Sequence, residues 1–170
     1  MTEECAPRTL CLMSEHAFQL SDLFRRQENL IRRGTVAELD LGAARLRVKI
    51  GDTETDWVPW MTLRAGTDRS WAPPSVGEQV LLLSESGDYR NGIALFGLYQ
   101  TAHPAPDSDR DVTCHHWEDG AIASYDKGAH ALEIDLPESG EFIFKVGRTT
   151  LSLRDAEVTL TSPKFRGVRS

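Results

Sequence analysis

The segment "LEIDLPESGEFIFKVGRTTLSLRDAEVTL", residues 132–160, alternates apolar and polar side chains almost without interruption. Leu132, Ile134 and Leu136, then Phe142, Phe144 and Val146, then Leu151 and Leu153, then Val158 and Leu160 recur at every second position. That is the period at which the side chains of a β-strand return to one face. Turn signals separate the runs: Pro137-Glu138-Ser139-Gly140, Gly147 and Asp155, and upstream Asp119-Gly120 and Lys127-Gly128. Residues 112–170 therefore read as an antiparallel meander of short strands, each with one apolar face. Nothing after residue 111 has a helical period that could cover those faces. About ten large apolar side chains on one side of a single layer would exceed the few hundred Å² that soluble monomers expose. Burying them is worth on the order of 15–30 kcal/mol before chain entropy is set against it. Other copies of the same segment are the natural cover, because cyclic symmetry lets identical apolar faces meet on one axis. Twofold packing would make a flat sandwich and threefold packing a prism, and the periodicity does not choose between them. The alternative is that the segment folds back onto the domain before it. Residues 101–111, "TAHPAPDSDRD", read as a neck linker with almost nothing to bury, and they argue for separation.

Upstream, residues 35–100 also show a period of two. Val36, Leu39 and Leu41, then Leu46, Val48 and Ile50, then Trp57, Val58 and Trp60 mark three strands, and Gln79 to Ser84 and Gly92 to Tyr99 mark two more. Five short strands with one longer loop fit a small Greek-key barrel of the OB type, and an SH3-like barrel fits the same pattern. Trp57, Trp60 and Trp71 are concentrated beside Pro59, Pro73 and Pro74. Large stiff rings and fixed backbone read as a rigid barrel wall and loop. The competing reading is an aromatic platform for single-stranded nucleic acid or sugar.

Residues 1–34 read as an N-terminal arm and helix. Leu20, Leu23, Phe24, Leu30 and Ile31 make one apolar stripe over Ser14 to Arg33, with Ser14 as N-cap, arginines toward the C-terminal end and Gly34 at C′. Such a stripe serves either packing within its own domain or docking to a neighbouring chain.

With 19 basic and 26 acidic residues and a net charge of −7, the electrostatic footprint of a protein that grips phosphate backbones is missing, and nucleic acid is not expected as a partner. The N-terminus is acidic where a secretory leader would be basic, and no run reaches the ~18 apolar residues of a membrane span, so synthesis and folding in the cytoplasm are expected. Cys5, Cys11 and Cys114 are odd in number and lack CxxC spacing, which predicts reduced thiols.

The elements "GTV", "TDWVPW", "WAPPSVGEQV", "GDYRNG" and "GLY" occur in this order between about Glu28 and Pro106, and "DGAIASYDKGAHALEIDLP" follows. In this the chain resembles the phage baseplate assembly protein V family, the central spikes of contractile tails. The resemblance implies a mainly β homotrimer with an OB-fold domain near the base and a C-terminal triple-stranded β-helix or prism forming a needle. It further implies a place at the centre of a baseplate, beneath the tail tube and beside the hub proteins; the amphipathicity of the N-terminal helix, taken alone, makes its apolar stripe the expected docking surface for hub or tube. Such spikes lead the tube through the host outer membrane when the sheath contracts. Related spikes serve type VI secretion and bacteriocin particles.

Chemistry is sparse. His115 and His116 are adjacent and would point to opposite faces of a strand, so one chain does not chelate with both, although a threefold axis could gather three copies of one of them. Many members of the family carry an HxH motif that binds iron at the apex. This chain has no histidine after His130, so no iron cofactor is expected, and either a blunt needle or a separate PAAR-like tip protein follows. Nucleophile, zinc-protease and phosphate-loop motifs are absent. Glu118, Asp119 and Asp126 sit at turn signals, where a lysozyme-like carboxylate pair is the alternative. A non-enzymatic structural protein is expected, and its rival is an OB-fold module that binds oligonucleotides or glycans.

Overall fold

The computed structural model describes residues 8–167, with side chains from His16 onward, Asn91 apart. The chain divides into two compact units, one reaching to Pro104 and the other beginning at Ala105.

In the first unit, helix α1 spans Arg8–Asn29, and strands β1 Ile31–Asp40, β2 Arg45–Ile50, β3 Thr53–Glu54, β4 Val58–Pro59, β5 Gln79–Ser84 and β6 Gly92–Leu98 follow. The helix starts before Ser14 and stops short of Arg33, which corrects the expected limits. Leu30 and Ile31 thereby leave the helical stripe. Ile31 pairs with Leu83, Arg32 with Leu82 and Arg33 with Leu81, and the Leu30 carbonyl accepts the Ser84 amide at 2.8 Å. The β5 ladder satisfies these backbone groups, and tertiary pairing overrides a helical side-chain pattern. Gly34 is not a helix cap. It lies in β1, where a Cβ would come within 2.5 Å of Val48 Cγ1 and 2.6 Å of the Lys49 carbonyl oxygen, so the close approach of β2 requires glycine.

A register shift between Val36 and Glu38 bends β1, so that its first half pairs with β5 and its second with β2. β6 pairs with β5, β4 pairs with β2, and a parallel bridge from Trp60 to Ala94 brings the end of β4 back to β6. The ring β1-β2-β4-β6-β5 closes as a five-stranded Greek-key barrel of the OB type. Its core is Val36, Leu46, Val48, Ile50, Val58, Val80, Leu82 and Ala94, with Leu39, Trp60, Tyr89 and Phe96 packed against it. The buried Thr55 hydroxyl accepts the Val48 amide and donates to the Asp56 carbonyl, so it is fully satisfied. Leu41, expected to continue the first strand, lies in the turn after β1 and is exposed.

The second unit contains two three-stranded antiparallel sheets. β7 Val112–His116, β8 Ile122–Asp126 and β9 Ala131–Asp135 form one. β10 Phe142–Val146, β11 Thr149–Arg154 and β12 Glu157–Thr161 form the other. The strands are joined by tight turns. The Asp126 carboxylate accepts the Gly128 and Ala129 amides, and Asp119 accepts that of Ala121. Ahead of β7, Asp107 accepts the Asp109 and Ser108 amides, which hold its carboxyl below the usual range, and Asp109 accepts that of Asp111. The aspartates that make this stretch polar also tie its turns.

Candidate functional site

Strand register decides which side chains share a face. In the last sheet Phe142 lies opposite Leu153, Phe144 opposite Leu151, Leu151 opposite Leu160 and Leu153 opposite Val158. With Val146 they form one apolar face, while Ile143, Lys145, Ser152, Arg154, Glu157 and Thr159 occupy the other. In the preceding sheet Tyr125 faces Leu132, and Ala123 faces both His115 and Ile134. Trp117, Ala121 and Leu136 continue that face beyond the strand ends.

Both faces stay largely uncovered among the described residues. Among the described hydrophobic residues of this unit only Ala121 is buried, whereas Leu132 is 72% exposed, Phe144 57%, Val146 82% and Val158 70%. Phe142 and Phe144 pack edge to face, with centroids 4.6 Å apart. The two faces are contiguous. Leu132, Ile134 and Leu136 of the first line a groove of about 510 Å³ together with Phe142 and Leu153 of the second. A neighbouring hollow of about 400 Å³ adds Trp117, Ala121 and Ala123.

The rim is polar. Arg154 donates to Glu141 at 2.9 Å and the Ser152 hydroxyl donates to its other oxygen. Chiefly through the Arg154 hydrogen bond, with Ser152 second, the Glu141 carboxyl is held below the usual carboxylate range.

All ten residues expected to form an interface thus lie on the two apolar faces. Trp117, Tyr125, Ala121 and Ala123 were not among them. Their own alternation, Ala121-x-Ala123-x-Tyr125, was available in the sequence but carries two small residues and therefore a weak hydrophobic signal.

The tryptophans have other surroundings. Trp60 packs on the barrel core and against Trp71, with centroids 5.8 Å apart. Trp57 is half-buried, its carbonyl accepts from Arg45, and the Arg47 guanidinium lies 5.9 Å from its ring. The neighbouring strand β2 supplies these cations, which the sequence around the tryptophans does not show. Arg47 is also engaged by the Thr55 carbonyl and by Glu38 and Glu54. Trp71 is 61% exposed. On α1, Leu20, Leu23 and Phe24 are exposed.

His115 and His116 do point to opposite faces, and the ring of His115 stacks edge-on against Trp117 at 4.4 Å. Asp119 and Asp126 serve their turns, as described above. Among the described residues no three His, Cys, Asp or Glu side chains converge as a metal site, and no helix is long and apolar enough to cross a membrane. Cys114 is a half-buried free thiol, while Cys5 and Cys11 fall outside the described side chains.

Residues 32–99 match the family model of the type VI secretion system/phage-baseplate injector OB domain. The spike protein of Escherichia phage P2 is 40% identical over 115 residues, which cover 68% of this chain and 54% of that protein. The chain thus spans about half the length of the curated relative it matches. A closed OB barrel that matches the injector domain, and a similarity that extends beyond the barrel, lead to one conclusion: residues 32–99 belong to the phage-baseplate injector OB domains, and the chain that carries them is similar to a phage spike protein.

Proposed function

We propose that this chain is the central spike of a contractile tail baseplate, a homotrimer whose three C-terminal units pack their apolar faces around one axis as a β-prism or β-helix. The observation that carries this reading is the contiguous uncovered face of Leu132, Ile134, Leu136, Phe142, Phe144 and Leu153. A face of this kind belongs inside an assembly, and closed symmetry also removes the open strand edges of two three-stranded sheets. Its work is mechanical and not catalytic. The OB barrels sit at the base against hub and tube proteins and nucleate baseplate assembly. The prism leads the tube through the host outer membrane on contraction. Rigidity is the property required, and strands packed across three chains supply it, because unfolding demands that the chains separate.

Mass by light scattering behind size exclusion tests the reading. Three 19.0 kDa chains are expected at micromolar concentration. A single chain would overturn the spike.

The exposed Trp71 favours a second reading, an OB module that binds oligonucleotide or glycan. Saturable binding of single-stranded DNA or a short glycan, lost in Trp71→Ala, would establish it.

A further inference from the structure

We propose that α1 pairs with the α1 helices of two other copies as a short parallel three-helix coiled coil, an inference that rests on the trimeric spike proposed above. Leu10, Met13, Ala17, Leu20, Phe24 and Gln27 follow one another at alternating spacings of three and four along Arg8–Asn29. These are the a and d positions of three heptads, and Glu15, Asp22 and Asn29 fall at the outermost f position. The polar side of the helix closes on itself. Asp22 binds Arg25 at 2.6 Å and Arg26 at 2.7 Å, and these ion pairs, with the Arg25 hydrogen bond first, hold the Asp22 carboxyl below the usual range. The seam carries no charge, and its described apolar members Leu20 and Phe24 are 54% and 61% exposed, with Leu23 bordering them at g and Phe18, 75% exposed, outside them at b.

The barrel of the same chain does not cover the described part of this seam, Ala17 to Gln27. Its hold on α1 lies in the last turn, where Gly87 sits against the backbone of Arg26 and the Tyr89 hydroxyl donates to Asn29 at 2.8 Å. A helix of this length extends about 33 Å, and one with an unburied apolar stripe is marginal in water. The partner is a copy of the same helix for two reasons. The uncharged a and d positions alternate at the three-four spacing of a helix–helix seam, with Leu23 beside them at g. Chains joined at their C-terminal units also hold their helices at high local concentration, and a threefold axis makes the three run parallel.

Thiol cross-linking of the full chain tests this, with Cys5, Cys11 and Cys114 replaced by serine and light scattering run on each variant. A short bismaleimide should join Leu20→Cys chains into covalent dimers at least several-fold more efficiently than Gln19→Cys chains, whose thiol lies at c. A trimeric mass with equal cross-linking at both positions would overturn the coil and leave the trimer standing, with the seam open to a baseplate partner. A monomeric mass would overturn both. Leu20→Asp supplies an independent measurement. It should lower the helical circular dichroism of the trimer and leave its mass unchanged, and an unchanged spectrum would count against the coil.

Discussion

The barrel and the C-terminal sheets are written in the same alternating pattern, yet Leu82 in the barrel is fully buried while Phe144 in the last sheet is 57% exposed. The difference lies in closure. The bend at Ala37 lets β1 serve two walls, Gly34 admits the backbone of β2, and the Trp60–Ala94 bridge returns the last wall to the first. Each C-terminal sheet has three short strands joined by tight turns, paired without a register shift and too few to curl onto themselves. An alternating sequence states which face is apolar. Whether that face becomes a core within the chain depends on a few residues that bend and close the sheet.

The largest expected effect separates the two cases. Leu82→Ala should cost about 2–5 kcal/mol by leaving a cavity in a closed core, whatever the protein concentration. Phe144→Ala should cost a comparable ~3–5 kcal/mol only if assembly buries the ring. Within a single chain it would be a surface change within about 0.5 kcal/mol. Denaturant unfolding at several protein concentrations, with mass measured in parallel, distinguishes them. A trimer that keeps its mass and loses no stability in Phe144→Ala would break the comparison, because the face would then stay uncovered in the assembly.

Much of this was legible in the sequence, and the exceptions share a physical cause. The strand Gln79–Ser84 and the ten alternating residues of the last strands are local signals, and they fall where the periodicity places them. Leu30 and Ile31 continue a helical stripe, yet Ile31 begins β1 and the Leu30 carbonyl accepts the Ser84 amide, because the β5 ladder about fifty positions away is not visible in a local window. Arg45 and Arg47 reach Trp57 through strand pairing, so a scan for cations beside the tryptophans in sequence does not find them. Trp117 stands out weakly in the sequence because Ala121 and Ala123, which follow it on the same face, are small and carry little hydrophobic signal. Strand periodicity alone leaves OB and SH3-like barrels open, because the Trp60–Ala94 bridge that closes the ring joins segments far apart in the sequence.

A smaller effect sharpens the contrast inside the first unit, between the barrel and the helix it holds by one end. Gly87 has φ +72°, and a Cβ there would lie 2.4 Å from the Arg26 carbonyl oxygen, so both conformation and contact require glycine. Gly87→Ala should cost on the order of 1–3 kcal/mol at this junction. Hydrogen exchange should show lost protection in the last turns of α1, while amides of β1, β2 and β5 keep theirs. Equal loss in helix and barrel would mean that the two form one cooperative unit.

The smallest effect concerns the rim of the C-terminal faces, where a charge pair stands beside an apolar surface. Hydrogen bonds from Arg154, and secondarily from Ser152, place the folded Glu141 value below its unfolded one. A depressed carboxylate contributes stability that is fully present above its unfolded value of about 4.3 and is lost as pH falls through the lower folded value. The pair is open to solvent, so the contribution is screened by salt and small. Glu141→Gln should therefore leave neutral-pH stability nearly unchanged and flatten the acid limb of a stability profile taken below about pH 4.3 at low salt. Should the acid limb of Glu141→Gln match that of the parent chain, the Arg154 bond is not held in solution. If the limb flattens and the trimer mass at acid pH falls as well, Glu141 acts across chains, and the polar rim belongs to the same interface as the apolar face it borders.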